Sequence, residues 1–155
     1  MAVLLQFPYS FRYVRGNREY LARLTDRMVG LPLAVEFRNA EWFHERVFDG
    51  MRRAGLALVC VDAPRLPNLP PPLHEVTAPL GYIRLHGRNA ADWWEGRDQR
   101  RYDYSYGDDE LREWLPRIAS MTEKASRLLV FFNNHWQGQA AQNAKRLMEL
   151  IAQEL

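Results

Sequence analysis

Within the run Gly81-Tyr-Ile-Arg-Leu-His-Gly-Arg-Asn89, the residues Tyr82, Arg84 and His86 stand two apart. On a β-strand that spacing puts all three on one face. Ile83 and Leu85 take the other. A cation on the face of a short apolar strand demands an opposing charge. Four other runs carry polar groups late in the same way. Glu36 and Arg38 share a face with Ala34, Gln6 with Leu4, Asp62 with Cys60, and Asn133 and His135 with Leu129 and Phe131. Parallel α/β proteins place their sites where the carboxyl ends of strands open into loops. Gln6, Glu36, Arg38, Asp62, Arg84, His86, Asn133 and His135 are therefore expected to converge on one mouth.

These residue types point first to an anion. Arg38, Arg84 and Arg88 can grip oxyanions with a forked guanidinium. The loops after the last two strands of a barrel often hold phosphate, and here they read His86-Gly87-Arg88 and Asn133-Asn134-His135. The expected ligand is a small anionic or phosphorylated molecule. Gln6, Arg38, Asp62, Arg84, Arg88, Asn134 and His135 are the binding candidates. Glu36 and His86 are the acid/base candidates and Asn133 an orienting group. The reaction is not specified, and no Gly-rich phosphate fingerprint is present.

Three alternatives compete. Glu36, Asp62, His86 and His135 are ligand types for a divalent metal in a hydrolase or isomerase, although no His-x-x-x-His spacing occurs and no metal ligands are assigned. The loop Arg88–Tyr106 offers Trp93, Trp94, Tyr102, Tyr104 and Tyr106 beside Arg97, Arg100 and Arg101, a composition that can stack nucleic-acid bases. Its arginines are balanced by Asp92, Glu95, Asp98 and Asp103. That removes the basic footprint, so a packed lid is the preferred reading. Last, the chain is an inactive remnant, with Glu36 and Arg84 or Arg38 as an internal ion pair. Cys60, inside an apolar run, reads as core rather than nucleophile, and His44 and His74 as surface residues.

The elements that must position these groups are visible as apolar runs. Val3–Phe7, Leu33–Arg38, Leu56–Val61, Gly81–His86 and Leu128–Asn133 predict five parallel strands. Asn17 is expected to cap a helix ending near Gly30, and Asn39 a second closed by Gly55. A third starts at Gly107, with Asp108, Asp109 and Glu110 at its positive end and a kink expected at Pro116. A fourth runs from about Gln139 to Leu155. Six prolines between Asp62 and Leu80 predict an extended crossover. Alternating strands and helices imply serial β/α units. The 155 residues allow one domain, 1–155, with a sizeable core. A net charge of +2 argues against strong attraction to nucleic acid or membrane. One cysteine suits a reducing compartment, and without a visible targeting segment the cytoplasm is the expected location.

Val35-Glu36-Phe37-Arg38, Tyr82-Ile83-Arg84-Leu85-His86-Gly87-Arg88, Tyr102-Asp103-Tyr104 and Phe132-Asn133-Asn134-His135, followed by Gln139-Ala140 and Asn143-Ala144, resemble in order the YecE-like family. That family is a domain of unknown function with a TIM-barrel-like fold. Gly107 stands where many relatives have a helix-capping serine. The resemblance implies a partial TIM-type (β/α) barrel. Matching starts at what looks like the fourth strand, so it also implies a truncated, carboxyl-terminal portion with the first three β/α units missing. Such an open sheet is expected to self-associate or to pair with a complementing amino-terminal fragment.

Overall fold

The computed structural model describes residues 2–94 and 97–155, with the backbone alone for 97–99. Five strands, β1 (Val3–Gln6), β2 (Leu33–Glu36), β3 (Ala57–Asp62), β4 (Leu80–Leu85) and β5 (Arg127–Phe132), form one sheet in chain order. Every pairing is parallel. The sheet is open and curled, a half-barrel of the TIM type. β2 and β3 are buried along their whole length, as central strands covered on both sides must be. The end strands are only partly covered. Their outer edges pair with no strand among the described residues.

The helices are α1 (Arg15–Asp26), α2 (Glu45–Ala54), α3 (Asp108–Arg112), α4 (Leu115–Lys124) and α5 (Gln139–Glu154). Three local expectations change. Val14, not Asn17, precedes α1. Asn17 lies inside the helix and donates its amide to the Arg12 carbonyl at 2.8 Å. Asn39 accepts from Glu41 N, but the element it caps is a single 3-10 turn, Ala40–Trp42. His44 precedes α2, which closes on left-handed Gly55 as expected. The predicted kink is a break: α3 stops before Trp114, and Pro116 sits in the first turn of α4, where its missing N–H costs nothing. The Asp62–Leu80 crossover is without helix. Thr77 ties it to the sheet, donating to Leu56 O at 2.6 Å and accepting from Leu58 N at 2.8 Å.

Strand parity divides the sheet into two faces. Ala34, Val59, Val61, Tyr82 and Leu129 line the concave face. Val35, Leu58, Cys60, Ile83 and Leu85 turn outward beneath the helices. Burial of side chains such as Ile83 and Leu85, each contributing about 1.5–3 kcal/mol, fixes which face each polar neighbour must occupy. A shift of one residue would exchange the two faces.

Candidate functional site

Glu36 ends β2 on the concave face, fully buried. Its Oε2 accepts from Arg84 Nη1, and its Oε1 from Arg38 Nε at 3.1 Å. His86 Nε2 lies 3.1 Å from the same Oε1. Arg84, on β4, also donates from Nη1 to Gln6 Oε1 at 2.6 Å and from Nη2 to Asn133 Oδ1 at 3.0 Å. Gln6 and Asn133 come from β1 and from the residue after β5. One guanidinium thereby ties together residues from opposite ends of the sheet.

The hydrogen-bond directions fix the imidazole. Arg84 claims Asn133 Oδ1, so the Asn133 amide nitrogen faces His86 Nδ1 at 3.1 Å and must donate. Nδ1 is then an acceptor, and the ring proton sits on Nε2, pointing at Glu36. A second proton on Nδ1 would meet the Asn133 N–H. Burial pushes the His86 pKa down, and the Arg38 and Arg84 charges push the same way, outweighing Glu36. Burial alone would raise the Glu36 carboxyl. The hydrogen bond from His86 and the charges of Arg84 and Arg38 outweigh it and hold the group near 2. At neutral pH one carboxylate therefore faces two guanidinium groups and a neutral imidazole.

Above this cluster opens a cleft of about 250 Å³ at the carboxyl ends of the strands. It is lined by Gln6, Arg38, Arg101 and a wall of Tyr9, Leu69 and Trp93. Arg38 Nη1 is 3.4 Å from the Tyr102 hydroxyl. The Tyr102 ring stands between the rings of His86, at 6.2 Å, and His135, at 5.2 Å. His135 is exposed, and its Nδ1 lies 3.0 Å from Asn133 O. Tyr9 was not singled out by sequence, and Tyr102 and Arg101 were named only in the aromatic loop, not with the mouth residues. Only the loops bring them here, and loop positions carry no periodic signal.

Gln6, Glu36, Arg38, Arg84, His86 and Asn133 are thus brought together, with His135 at the rim. Asp62, Arg88 and Asn134 are not. Asp62 pairs in register with Leu85, whereas Val61 pairs with Arg84. Its side chain therefore faces the helices. There it accepts from Arg88 Nε at 2.9 Å, Arg88 Nη2 at 2.8 Å and Trp114 Nε1 at 2.6 Å. Arg88 continues to Glu110 at 3.2 Å and Glu113 at 2.9 Å. Gly87, at φ +92°, makes the turn that sends Arg88 to this side. A Cβ there would lie 2.7 Å from Tyr104 Cβ. Asn134, fully buried, donates to Tyr104 O at 2.7 Å and to Asn143 Oδ1 at 2.8 Å. Asn143 also brackets Tyr106 N and O, each at 3.0 Å. The placement of these three with the mouth residues is therefore corrected. They fasten the loop after β4 to the helices.

This geometry also bears on the alternatives. Glu36, Asp62, His86 and His135 do not gather. Among the described residues no group of three or more His, Cys, Asp or Glu is placed to hold a metal ion. In the long loop, Trp93 and Tyr106 are buried and Tyr104 half-buried, so their faces are already covered. Glu95 and the side chains of Arg97 and Asp98, which entered its charge balance, lie outside what is described. Cys60 is buried, and burial pushes its thiol up to about 12, as expected of a core residue. No helix among the described residues is long and apolar enough to cross a membrane.

A curled parallel sheet with a polar cluster at the carboxyl ends of its strands defines a TIM-type β/α protein. The chain belongs to the family described as "Protein of unknown function DUF72", whose model matches residues 1–155. It is 32% identical over 160 residues to the "UPF0759 protein YunF" of Bacillus subtilis (strain 168), covering 96% of this chain and 57% of that protein. A DUF72 family protein from Thermotoga maritima, solved by crystallography, superposes with a TM-score of 0.93 at 38% identity, over 98% of this chain and 58% of that one. One from Enterococcus faecalis V583 superposes at 0.90 with 32% identity, over 97% and 58%. The chain thus spans less than three-fifths of the length of these relatives. The expected assignment to a truncated, carboxyl-terminal YecE-like portion is corrected by these matches: the family is DUF72/UPF0759, recognised over nearly the whole chain.

Proposed function

We propose that the cleft at the carboxyl ends of the strands binds a small anionic, phosphorylated ligand. Arg38 and Arg101, on its wall, are its principal contacts, with Gln6 a neutral donor beside them and Arg84 in the cluster beneath. Glu36, His86 and Asn133 act as positioning residues, since their polar atoms already hold one another and the two guanidinium groups. The observation that carries this reading is the charge imbalance. Among the described residues, Glu36 is the only carboxylate paired with Arg38 and Arg84. Arg101, on the cleft wall, has no carboxylate within ion-pair distance among the described residues. Arg38 Nη2 and Arg84 Nε donate to no described residue. Forked, incompletely paired guanidinium groups at a concave, partly water-excluded mouth favour an incoming oxyanion.

The reading is tested by calorimetric titration of the full chain with inorganic phosphate at low ionic strength. Saturable binding is expected in the wild type and at least a tenfold loss in Arg38→Gln, about 1.4 kcal/mol or more. The double variant Glu36→Gln/Arg84→Gln, which removes the pair together, should lose binding as well. No saturable binding by the wild type, or undiminished affinity in Arg38→Gln, refutes the reading.

A further inference from the structure

The anion is not the whole of the ligand. Resting on the anion-site reading above, we propose that the phosphate is carried by a planar ring: the juxtaposition of Arg38 and Arg101 with the half-open indole of Trp94 makes the cleft a site for an aryl or heteroaryl phosphate monoester.

Trp94 lines the same cleft as the two arginines. It is 52% exposed, while its neighbour Trp93 is buried. The Tyr9 ring meets it edge-on, with centroids 4.7 Å apart and planes at 70°. With that contact made, Trp94 still keeps about half of its surface in water. An indole presents a large flat apolar surface, so leaving it half in water forgoes much of the gain that burial would bring. Trp93 and Leu69 are both buried, so the wall around it is fixed rather than collapsing over the ring. In the same lining, Arg38 is held by Glu36 and Arg101 lies over the Tyr102 ring, its Cζ 5.8 Å from the centroid. The cleft therefore combines two cations with an exposed aromatic surface. Its volume, about 250 Å³, falls below the usual range of drug-sized pockets, roughly 300–1,000 Å³. It suits one ring with one phosphate. An aliphatic phosphate would satisfy the arginines but leave the indole as it is.

The experiment titrates the full chain with three probes: inorganic phosphate, glycerol 3-phosphate and phenyl phosphate, followed by calorimetry and tryptophan fluorescence. Phenyl phosphate is expected to bind roughly tenfold more tightly than the other two, the scale of a single ring-stacking contact. Trp94→Ala, a change at an exposed residue, should bring phenyl phosphate down to the level of inorganic phosphate and leave the latter unchanged. Equal affinity for all three probes, or a tenfold gap that survives in Trp94→Ala, overturns the aromatic contact while leaving the anion site standing. If inorganic phosphate and both esters fail to bind the wild type, the anion site falls and this inference with it.

Discussion

Replacing Glu36 by Gln should destabilise the protein and at the same time strengthen its hold on phosphate. The carboxylate is wholly buried, and its partners are nearly so, with the Arg38 and Arg84 side chains 16% and 12% exposed. Removing one member of such a set strands the others, at a cost of about 3–5 kcal/mol. Gln keeps the shape and one acceptor oxygen, and both guanidinium heads touch water, so the lower end, about 3 kcal/mol, is expected. In a chain of this size that lowers Tm by roughly 6–12 °C. The matched control is Glu41→Gln, whose partner Arg12 is largely exposed. It should leave the melting temperature nearly unchanged. The assay is thermal melting with and without phosphate. Once Glu36 no longer competes for Arg38 and Arg84, phosphate should take its place and the variant should gain more stability from added phosphate than the wild type does. At a hundred times Kd that gain is about 2.7 kcal/mol. A Glu36→Gln protein that melts within 2 °C of the wild type, or one that is stabilised less by phosphate, would sink the view of Glu36 as the counter-ion of an anion site.

Other outcomes follow from the same contacts. Because His86 is held below its ordinary value of 6.5, the unfolded chain takes up that proton first. Stability should be full above about pH 6.5 and fall as the pH drops below it, and His86→Gln should flatten that slope in melts between pH 8 and 5. The Glu36 contribution is lost lower, from about pH 4.5 toward 2, as the carboxyl finally protonates. Asp62→Asn should lower stability by about 1.5–3 kcal/mol, since it removes the buried charged acceptor of Arg88 and Trp114 while Glu110 and Glu113 still pair Arg88, yet leave phosphate affinity within twofold of the wild type. A parallel loss of affinity would return Asp62 to the mouth. Gly87→Ala should cost about 1–3 kcal/mol from its positive φ and more from the contact with Tyr104, read by chemical denaturation. The edges of β1 and β5, which pair with no strand among the described residues, and the 46% exposed Phe131 predict self-association, seen by light scattering as a mass that rises with concentration. A monomer at every concentration would count against it.

The strands were legible because central parallel strands are apolar on both sides, and each predicted run lies within about two residues of the observed one. The same property hid the faces. In Leu58-Val-Cys-Val-Asp62 nothing in the residue types says whether Val59 and Val61 or Cys60 and Asp62 turn to the concave side. Parity within a strand is readable, but its absolute sense comes from register with the neighbours, and Val61 against Arg84 settles it. A signal existed in Trp114. An indole N–H in the middle of an apolar helix stripe needs a buried acceptor, and a carboxylate at the end of an adjacent strand was available. Caps failed for a related reason. Asn17 and Asn39 bond to nearby backbone equally well in a turn or at a helix start, so their presence marks a change of direction without saying which element follows.

The two networks at the strand ends are built from the same residue types, and their stoichiometry separates them. On the helix side Arg88 is outnumbered by Asp62, Glu110 and Glu113. Asp62 is saturated by two donors from Arg88 and one from Trp114. The cation there is consumed and has nothing to offer a ligand. On the concave side Glu36 is outnumbered by Arg38 and Arg84, the imidazole is neutral, and the excess positive charge lies beside a cleft. Packing would favour balance on both sides, because an uncompensated charge in a half-buried place opposes folding. An imbalance on the open side alone, held in place by Asn133, His86 and Gln6, is what a site awaiting a counter-charge requires. The sign of the excess, more than the identity of any one residue, is why the ligand is argued to be an anion.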